Sequence, residues 1–182
     1  NYSVLTISNS LFTTSNNVKS IEAANTFLVI ENTVIDGGAS AVQMHAGSLD
    51  IDGLTVSNAE TGVHILGSTG YDRSVKNSTF TSCSSSGIYV DYNCNLNVHN
   101  CEFTNNYKGI DLYGNNLEVI DSDFLSNNQD HIHIYGNASY LVDSCSFIGG
   151  DYGIKHDQGS GSNDRIIQNC EFQGMSDYAI HF

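Results

Sequence analysis

A motif of about 23 residues recurs eight times along the chain, and this repeat constrains the fold more than any other feature of the sequence. Each copy has an apolar anchor residue, and successive anchors lie 21 to 25 residues apart. The anchors are Phe12, Ile35, Val56, Phe80, Phe103, Phe124, Phe147 and Phe172. Five residues before every anchor stands Ile or Val, and within nine residues after it stands another aliphatic residue. Agreement in several columns over eight copies indicates a repeat protein.

Each copy contains three short runs of alternating apolar and polar residues, separated by bends that contain Asn or Gly. Alternation is typical of strands, and the runs are too short for helices. One copy cannot bury its apolar side alone, whereas copies that stack on one another can. The sequence therefore predicts an all-β solenoid, a parallel β-helix of about eight turns with three short strands each. Each strand should pair with its counterpart one turn along, about 4.8 Å away.

Two further columns support this arrangement. The residue three positions before the anchor is Asn in most copies, for example Asn77 and Asn100. Asn tolerates left-handed backbone geometry, and stacked Asn side chains can hydrogen-bond from turn to turn. The next column holds small residues, including Cys101, Cys145 and Cys170. We expect these cysteines to be buried free thiols, and a Cys145–Cys170 bridge between neighbouring turns is the secondary alternative.

The repeat resembles the generic motif "NCxFxxNxxxGIxL" of right-handed parallel β-helix proteins in the pectate-lyase-like superfamily, as residues 100–116, "NCEFTNNYKGIDLYGNN", illustrate. The resemblance covers residues 4–182 and implies a right-handed, single-stranded parallel β-helix. The superfamily includes pectin-degrading lyases and hydrolases, alginate epimerases and lyases, phage tailspikes and surface adhesins, so the fold alone does not select an activity. The local signatures of its enzymes are missing. The chain has no proline and so no Asp-Pro-His-Glu run, and it has neither the Asp pair with Gly-His-Gly and Arg-x-Lys of the pectin hydrolases nor the Arg-rich patch of pectate lyases.

We expect residues 1–182 to form one β-helix domain that is a fragment of a longer chain. A coil of this kind exposes unpaired strand edges at both ends. Flanking domains or partner chains should therefore cap it.

The third strand of each turn contains most of the candidate functional residues. Six of the seven histidines lie on this strand or at its edges. Its outward positions form two ladders that are rich in Tyr, His and Asp. Tyr rings stack on the apolar faces of pyranoses while polar groups bond their hydroxyls, so this composition suits a glycan. The resemblance implies a substrate groove on the same strand. His156 falls at an inward position, and we expect it to be a core histidine or to mark a break in the register.

Four outward residues on consecutive turns form a candidate catalytic set: Tyr89, Asp111, His133 and Lys155. Proton abstraction next to a uronate carboxyl needs a base, an acid and a positive charge at the carboxylate. His133 or Lys155 could be the base and Tyr89 the acid, and Lys155 or a cation held by Asp111 could neutralise the carboxylate. A similar Tyr/His/Lys set serves β-helix uronate lyases and epimerases.

Five other outward residues of the same face are candidates for substrate binding: His64, Asp91, Tyr113, Tyr135 and His181. Two Gly- and Ser-rich loops after the third strand, residues 67–73 and 158–165, could border the groove.

No metal site and no cofactor are expected, although two weaker alternatives exist. His131 and His133 should both face outward beside Asp111, and two His and a carboxylate can hold zinc. Residues two apart on a strand lie about 6.5–7 Å apart, which is wide for two ligands of one ion. Calcium is the other alternative. The acid pairs that could bind it are Glu102/Asp123 and Asp91/Asp111.

The charge of the chain narrows the list of partners. Twenty acidic residues against six basic ones give a net charge of −14, which repels nucleic acid and anionic lipid. No apolar run approaches the roughly 18 residues of a membrane span. We therefore expect neither nucleic-acid binding nor membrane insertion.

The sequence thus predicts a domain that interacts with a polysaccharide or surface glycan through its third-strand face, in an extracellular, cell-surface or virion setting. As an enzyme it would be a uronate lyase or C5-epimerase. The alternative is a non-catalytic structural or adhesive rod, such as a tailspike segment or a cell-surface spacer.

Overall fold

The computed structural model shows a coil of parallel strands. The structure describes residues 3–67, 70–92, 94–159 and 163–182, and within these ranges it has twenty-two strands in about eight turns. No helix long and apolar enough to cross a membrane is present in these ranges. The expectations for loops 67–73 and 158–165 lie partly outside the described residues. The predicted all-β, right-handed parallel β-helix with three strands per turn is confirmed.

Strands of the same kind stack on one another from turn to turn. The first-strand stack contains β1 (Ser3–Ser8), the second halves of β3 (Lys19–Glu31) and β5 (Ser40–Asp52), β8 (Arg73–Lys76), β11 (Asn95–His99), β14 (Asn116–Ile120), β17 (Ser139–Asp143) and β20 (Arg165–Gln168). The second-strand stack contains β2 (Leu11–Thr14), β4 (Val34–Gly37), β6 (Thr55–Ser57), β9 (Thr79–Thr81), β12 (Glu102–Thr104), β15 (Asp123–Leu125), β18 (Ser146–Ile148) and β21 (Glu171–Gln173). The third-strand stack contains the first halves of β3 and β5, β7 (Thr61–Leu66), β10 (Ser86–Val90), β13 (Lys108–Leu112), β16 (Asp130–Tyr135), β19 (Tyr152–Asp157) and β22 (Tyr178–His181).

The strands β3 and β5 are longer than the sequence predicts, because each joins the third strand of one turn to the first strand of the next. Residues with positive φ bend each of them: Asn25 with φ 52° in β3, and Ala46 with φ 41° followed by Gly47 with φ 145° in β5. These short connections leave the strand pairing almost unbroken. From β7 onward, longer connections separate the third strand from the next first strand.

The interior consists of stacked columns of identical or similar side chains. The rings of Phe80, Phe103, Phe124, Phe147 and Phe172 lie one above the other, with neighbouring centroids 4.7–5.1 Å apart. The aliphatic columns before and after the anchors are also buried, for example Val98 and Ile110. Because every turn places the same or a similar side-chain type at the same point, a continuous core forms between the strands.

The predicted bend column is confirmed in all eight turns, since every residue in it has a positive φ, between 44° and 72°. These residues are Asn9, Asn32, Gly53, Asn77, Asn100, Asp121, Ser144 and Asn169. Some side chains also bond across turns as expected, and Asn100 Nδ2 donates to Asn77 Oδ1 at 2.7 Å.

A second asparagine pair, at the position of the second Asn of the quoted motif, is fully buried after the anchor strand. Asn127 Oδ1 accepts hydrogen bonds from both the backbone N–H and the side-chain amide of Asn106, each at 3.0 Å. Asn127 Nδ2 donates to the Phe103 carbonyl at 3.0 Å. Two side chains thus satisfy backbone groups of the bend that would otherwise be buried unpaired.

The five cysteines are free thiols, and Cys145 and Cys170 are not bridged. Cys101 and Cys145 are buried, and their thiols lie near the carbonyl oxygens two residues earlier. Burial raises the pKa of Cys101 to about 11 and that of Cys145 to about 12. The prediction of buried, space-filling thiols is therefore confirmed for these two residues, and it is wrong for Cys170, which is only partly buried because it lies near the end of the coil.

Candidate functional site

The outward ladder of the third-strand stack has the register that the sequence predicts. Directly paired residues of successive turns are Glu22, Gln43, His64, Tyr89, Asp111, His133, Lys155 and His181. A second ladder two residues further on includes Tyr135, paired with Asp157. Paired residues lie about 4.8 Å apart, so side chains of neighbouring turns are in contact range.

A row of tyrosines, which we call the tyrosine strip (Tyr89, Tyr92, Tyr113 and Tyr135), forms the aromatic part of this face. The rings of Tyr113 and Tyr135 are stacked, with centroids 4.1 Å apart and planes 12° apart. Tyr89 and Tyr92 lie 6.0 and 6.1 Å from Tyr113, one edge-on and one tilted. Tyr92, Tyr113 and Tyr135 line an open groove of about 450 Å³ that continues over Asn115, Asn137 and Gln158.

Burial affects the phenols of the strip. It raises the pKa of Tyr89 to about 12, and nearby Asp91 adds to the effect. Burial also raises the pKa of Tyr135, and a hydrogen bond with Tyr113 raises it further. Both phenols are therefore neutral at ordinary pH and can donate and accept hydrogen bonds.

Beside the strip lies a charged cluster, which consists of Lys108, Asp111, Asp130, His133, Lys155 and Asp157. Lys108 Nζ is 2.9 Å from Asp111 Oδ2 and donates a hydrogen bond to His133 Nδ1 at 2.8 Å. His133 Nε2 donates to Asp157 Oδ2 at 3.0 Å. The imidazole is thus held on both sides, and burial lowers its pKa although the bond to Asp157 opposes this.

The carboxylates of the cluster differ in environment. Asp130 is fully buried, with Oδ2 3.2 Å from His133 Nδ1. Burial raises its pKa to about 6, against the opposing charges of Lys155 and Lys108. Burial would also raise the pKa of Asp157, but the hydrogen bond from His133 and the charge of Lys155 hold it below its usual value. Two carboxyls that share one imidazole therefore titrate in different pH ranges.

The structure brings the four predicted catalytic residues into one row, but it does not expose them equally. His133 is 2% exposed and Asp111 8% exposed, because Lys108 and the ring of Tyr135, with its centroid 4.0 Å from that of His133, lie against them. Tyr89 and Lys155 are half-buried and reach the surface. The part of this face that a ligand can contact is therefore the tyrosine strip with Lys155 and Asp157, and not the imidazole.

The predicted binding residues fall into two groups. Tyr113, Tyr135 and Asp91 belong to the strip or lie beside it, and the ring of His64 lies 4.9 Å from that of Tyr89. His181 lies two turns beyond His133, with Tyr152 and Tyr178 at centroid distances of 5.7 and 5.3 Å. It does not contribute to the groove that the strip lines.

The expectation that His131 faces outward is wrong. His131 is fully buried, and its ring lies about 6 Å from those of Phe124 and Phe147. Asn127 Nδ2 donates to its Nδ1 and its Nε2 donates to the Gly149 carbonyl, both at 2.8 Å. It therefore cannot join His133 and Asp111 as a zinc ligand. Within the described ranges no group of three His, Cys, Asp or Glu side chains is placed to hold a metal ion.

One further histidine lies where the sequence predicts it, and two charged residues of the site were not predicted. His156 is buried as predicted, and its Nε2 bonds the Gly136 carbonyl at 2.7 Å. Lys108 and Asp130 were missed as members of the site. Both stand three residues before a ladder residue, at the start of the third strand, where most turns carry a neutral side chain. The appearance of Lys108 and then Asp130 at this position of two successive turns is the sequence feature that could have indicated their role.

A coil in which three strands per turn pair in parallel with those of the next turn is a parallel β-helix, and this one has an aromatic groove along one face. In agreement, the family described as a right handed beta helix region matches residues 61–182, which is more than half of the chain, and the chain belongs to this family. No match was found among curated proteins or among solved structures.

Proposed function

We propose that this β-helix binds a polysaccharide or surface glycan in the groove along the tyrosine strip. The observation that carries the proposal is the Tyr113–Tyr135 stack in the wall of the groove, with centroids 4.1 Å apart. Binding sites for small molecules combine aromatic walls with a few placed polar groups, and here Asn115, Asn137 and Gln158 supply those groups. The setting we propose is extracellular, on a cell surface or on a virion.

The shape of the face favours a chain-like ligand. The ladder positions repeat along the coil axis, and Tyr89, Tyr113 and Tyr135 lie on three successive turns. A polymer of similar units can lie along such a row and contact one ring after another. Each such contact contributes little binding free energy, but several contacts made at the same time raise the affinity for the polymer.

A uronate lyase or C5-epimerase is the second candidate, because Asp111, His133 and Lys155 are directly paired neighbours. A general base must come within about 2.6–3.2 Å of the proton that it removes. His133 is 2% exposed and both of its ring nitrogens are engaged, and burial weakens the acidity of Tyr89. The geometry therefore favours binding over proton abstraction.

The test compares wild type with Tyr113→Ala and Tyr135→Ala on a polysaccharide array and in native gels that contain soluble polysaccharides. Truncation of an anchoring aromatic residue typically costs about 1–2 kcal/mol or more, so we expect dissociation constants to rise about five- to thirtyfold. Tyr107→Ala is the matched control, since Tyr107 is an exposed tyrosine outside the strip. It should bind as wild type does.

The same samples are assayed for the absorbance of unsaturated sugar products. Turnover that is lost in Tyr89→Phe and His133→Gln would favour the lyase over the binding module. Absence of any binding to the array would favour the structural rod. Binding that all three tyrosine variants weaken equally would mean that the groove is placed wrongly.

A further inference from the structure

The side chains that line the groove are uncharged. Besides Tyr92, Tyr113 and Tyr135, the polar side chains in its wall are those of Asn115, Asn137 and Gln158. Amide and phenol groups each donate and accept hydrogen bonds, so they match sugar hydroxyls in either direction. They offer no charge to a carboxylate.

The lysines of the chain are already paired with acids. Each of the four lies within 4 Å of a carboxylate oxygen, and two of them belong to the charged cluster beside the strip. The pairs are Lys19–Glu22 at 2.7 Å, Lys76–Asp50 at 3.4 Å, Lys108–Asp111 at 2.9 Å and Lys155–Asp157 at 3.6 Å. The two arginines, Arg73 and Arg165, lie on first strands, and neither lines the groove itself. Arg165 lines a neighbouring cavity that shares Gln158 with the groove. No lysine of this face is therefore left to neutralise a ligand carboxylate by itself.

The net charge around the groove is unfavourable for a polyanion. The charged cluster contains three aspartates against two lysines, and Asp91 lies beside Tyr89 at the other end of the strip. The whole chain carries −14. A polyuronate has one carboxylate per sugar, so it would approach an excess of like charge, and no arginine is among the described residues that line the groove to hold it in a bidentate pair.

We infer that the groove selects an uncharged polysaccharide and discriminates against polyuronates. This inference rests on the proposed function, and it narrows the ligand to a chemical class. It also argues against the uronate chemistry that the sequence resemblance implies, because Lys155 of the predicted site and the neighbouring Lys108 each lie beside an aspartate.

The experiment uses pairs of probes that share a backbone and differ in charge. The pairs are polygalacturonate with its fully methyl-esterified form, alginate with its carboxyl-reduced form, and carboxymethyl-dextran with dextran. Binding of the wild-type chain is measured in EDTA at low salt and again at high salt. We expect the neutral member of any bound pair to bind about tenfold or more tightly at low salt, with a smaller difference at high salt because salt screens the repulsion.

Tighter binding of the acidic member, or binding of that member that appears on addition of Ca²⁺, would overturn the inference. Tyr113→Ala separates the two proposals. If the acidic member binds and Tyr113→Ala weakens that binding, the groove binds glycans but the assigned class is wrong. If no pair binds, or if Tyr113→Ala changes nothing, the proposed function fails and this inference fails with it.

Discussion

The buried carboxyl of Asp130 is expected to make the stability of the chain depend on pH, and Asp130→Asn tests this. Asp130 is fully buried, and its Oδ2 lies 3.2 Å from His133 Nδ1. Neither oxygen has a hydrogen-bond partner among the described residues. Burial raises the pKa from 3.8 to about 6, although Lys155 and Lys108 lower it. The protein therefore stabilises the neutral acid relative to the carboxylate.

The size and sign of the effect follow from the two pKa values. A difference of about two pH units corresponds to about 3 kcal/mol, at about 1.4 kcal/mol per unit. Between about pH 4 and pH 6 the folded chain holds a proton at Asp130 that the unfolded chain has released. The stability due to this group is thus fully present below about pH 4 and is lost as the pH rises through about 6.

Asn has nearly the same shape as the protonated acid and cannot ionise. At pH 8 we expect Asp130→Asn to unfold with a free energy up to about 3 kcal/mol higher than wild type, and at pH 4 we expect little difference. Urea unfolding followed by far-UV circular dichroism and tyrosine fluorescence measures this, since the chain has ten tyrosines and no tryptophan. Asp123→Asn is the matched control, because Asp123 is exposed and its replacement should change stability by about 0.5 kcal/mol or less at either pH.

One result would refute the reasoning. If Asp130→Asn is less stable than wild type at pH 8 by more than at pH 4, the carboxylate is a net stabilising partner of the nearby lysines. Burial would then not dominate its titration. Equal destabilisation at both pH values would mean that packing of the amide, and not charge, controls the outcome.

Two substitutions and one labelling experiment test the core and the bends. Phe124→Ala removes one ring from the middle of the aromatic stack and should lower the free energy of unfolding by about 3–5 kcal/mol in urea, and a loss below 1 kcal/mol would contradict the stacked core. Asn127→Ala leaves buried backbone groups unpaired and should cost about 2–4 kcal/mol, measured in the same way, whereas Asn128→Ala at the exposed neighbouring position should cost far less. Burial raises the pKa of the Cys145 thiol to about 12. A thiol reagent should therefore label the partly buried Cys170 first and Cys145 only after unfolding. Fast labelling of Cys145 in the native chain would contradict its buried position.

Most of the fold was predictable because its constraints are local and repeated. The anchor column shows eight times, and the bend column is filled by residues that tolerate positive φ at every turn. The position of the buried Asn106–Asn127 pair is the second Asn of the quoted motif, but the columns of this chain do not show it. The pair occupies only two turns, while the neighbouring turns have Cys83 and Gly150 at the same position, so no column forms.

The positions of the site residues were also predictable, but their exposure was not. Register places Asp111, His133 and Lys155 in one row as soon as the repeat is recognised. Whether an outward side chain is covered depends on its neighbours, and Lys108 extends across the row to reach both Asp111 and His133. A pattern of alternating residues carries no information about such a long, flexible side chain.

The burial of His131 shows why the repeat pattern can mispredict a residue that departs from it in a single turn. The position before the inward aliphatic is Gly or Ala in six of the eight turns, because it lies against a phenylalanine ring and the next backbone. A Cβ on Gly109, for example, would lie 2.4 Å from the His131 carbonyl oxygen. His131 is accommodated by compensation in the following turn, where Gly149 and Gly150 both have positive φ and a Cβ on Gly150 would lie 3.1 Å from His131 Nε2. The large side chain of His131, at a position that is otherwise mostly Gly or Ala, is thus accommodated by Gly149 and Gly150 one turn later. In the sequence these are two separate departures from the repeat, and nothing in the pattern links them.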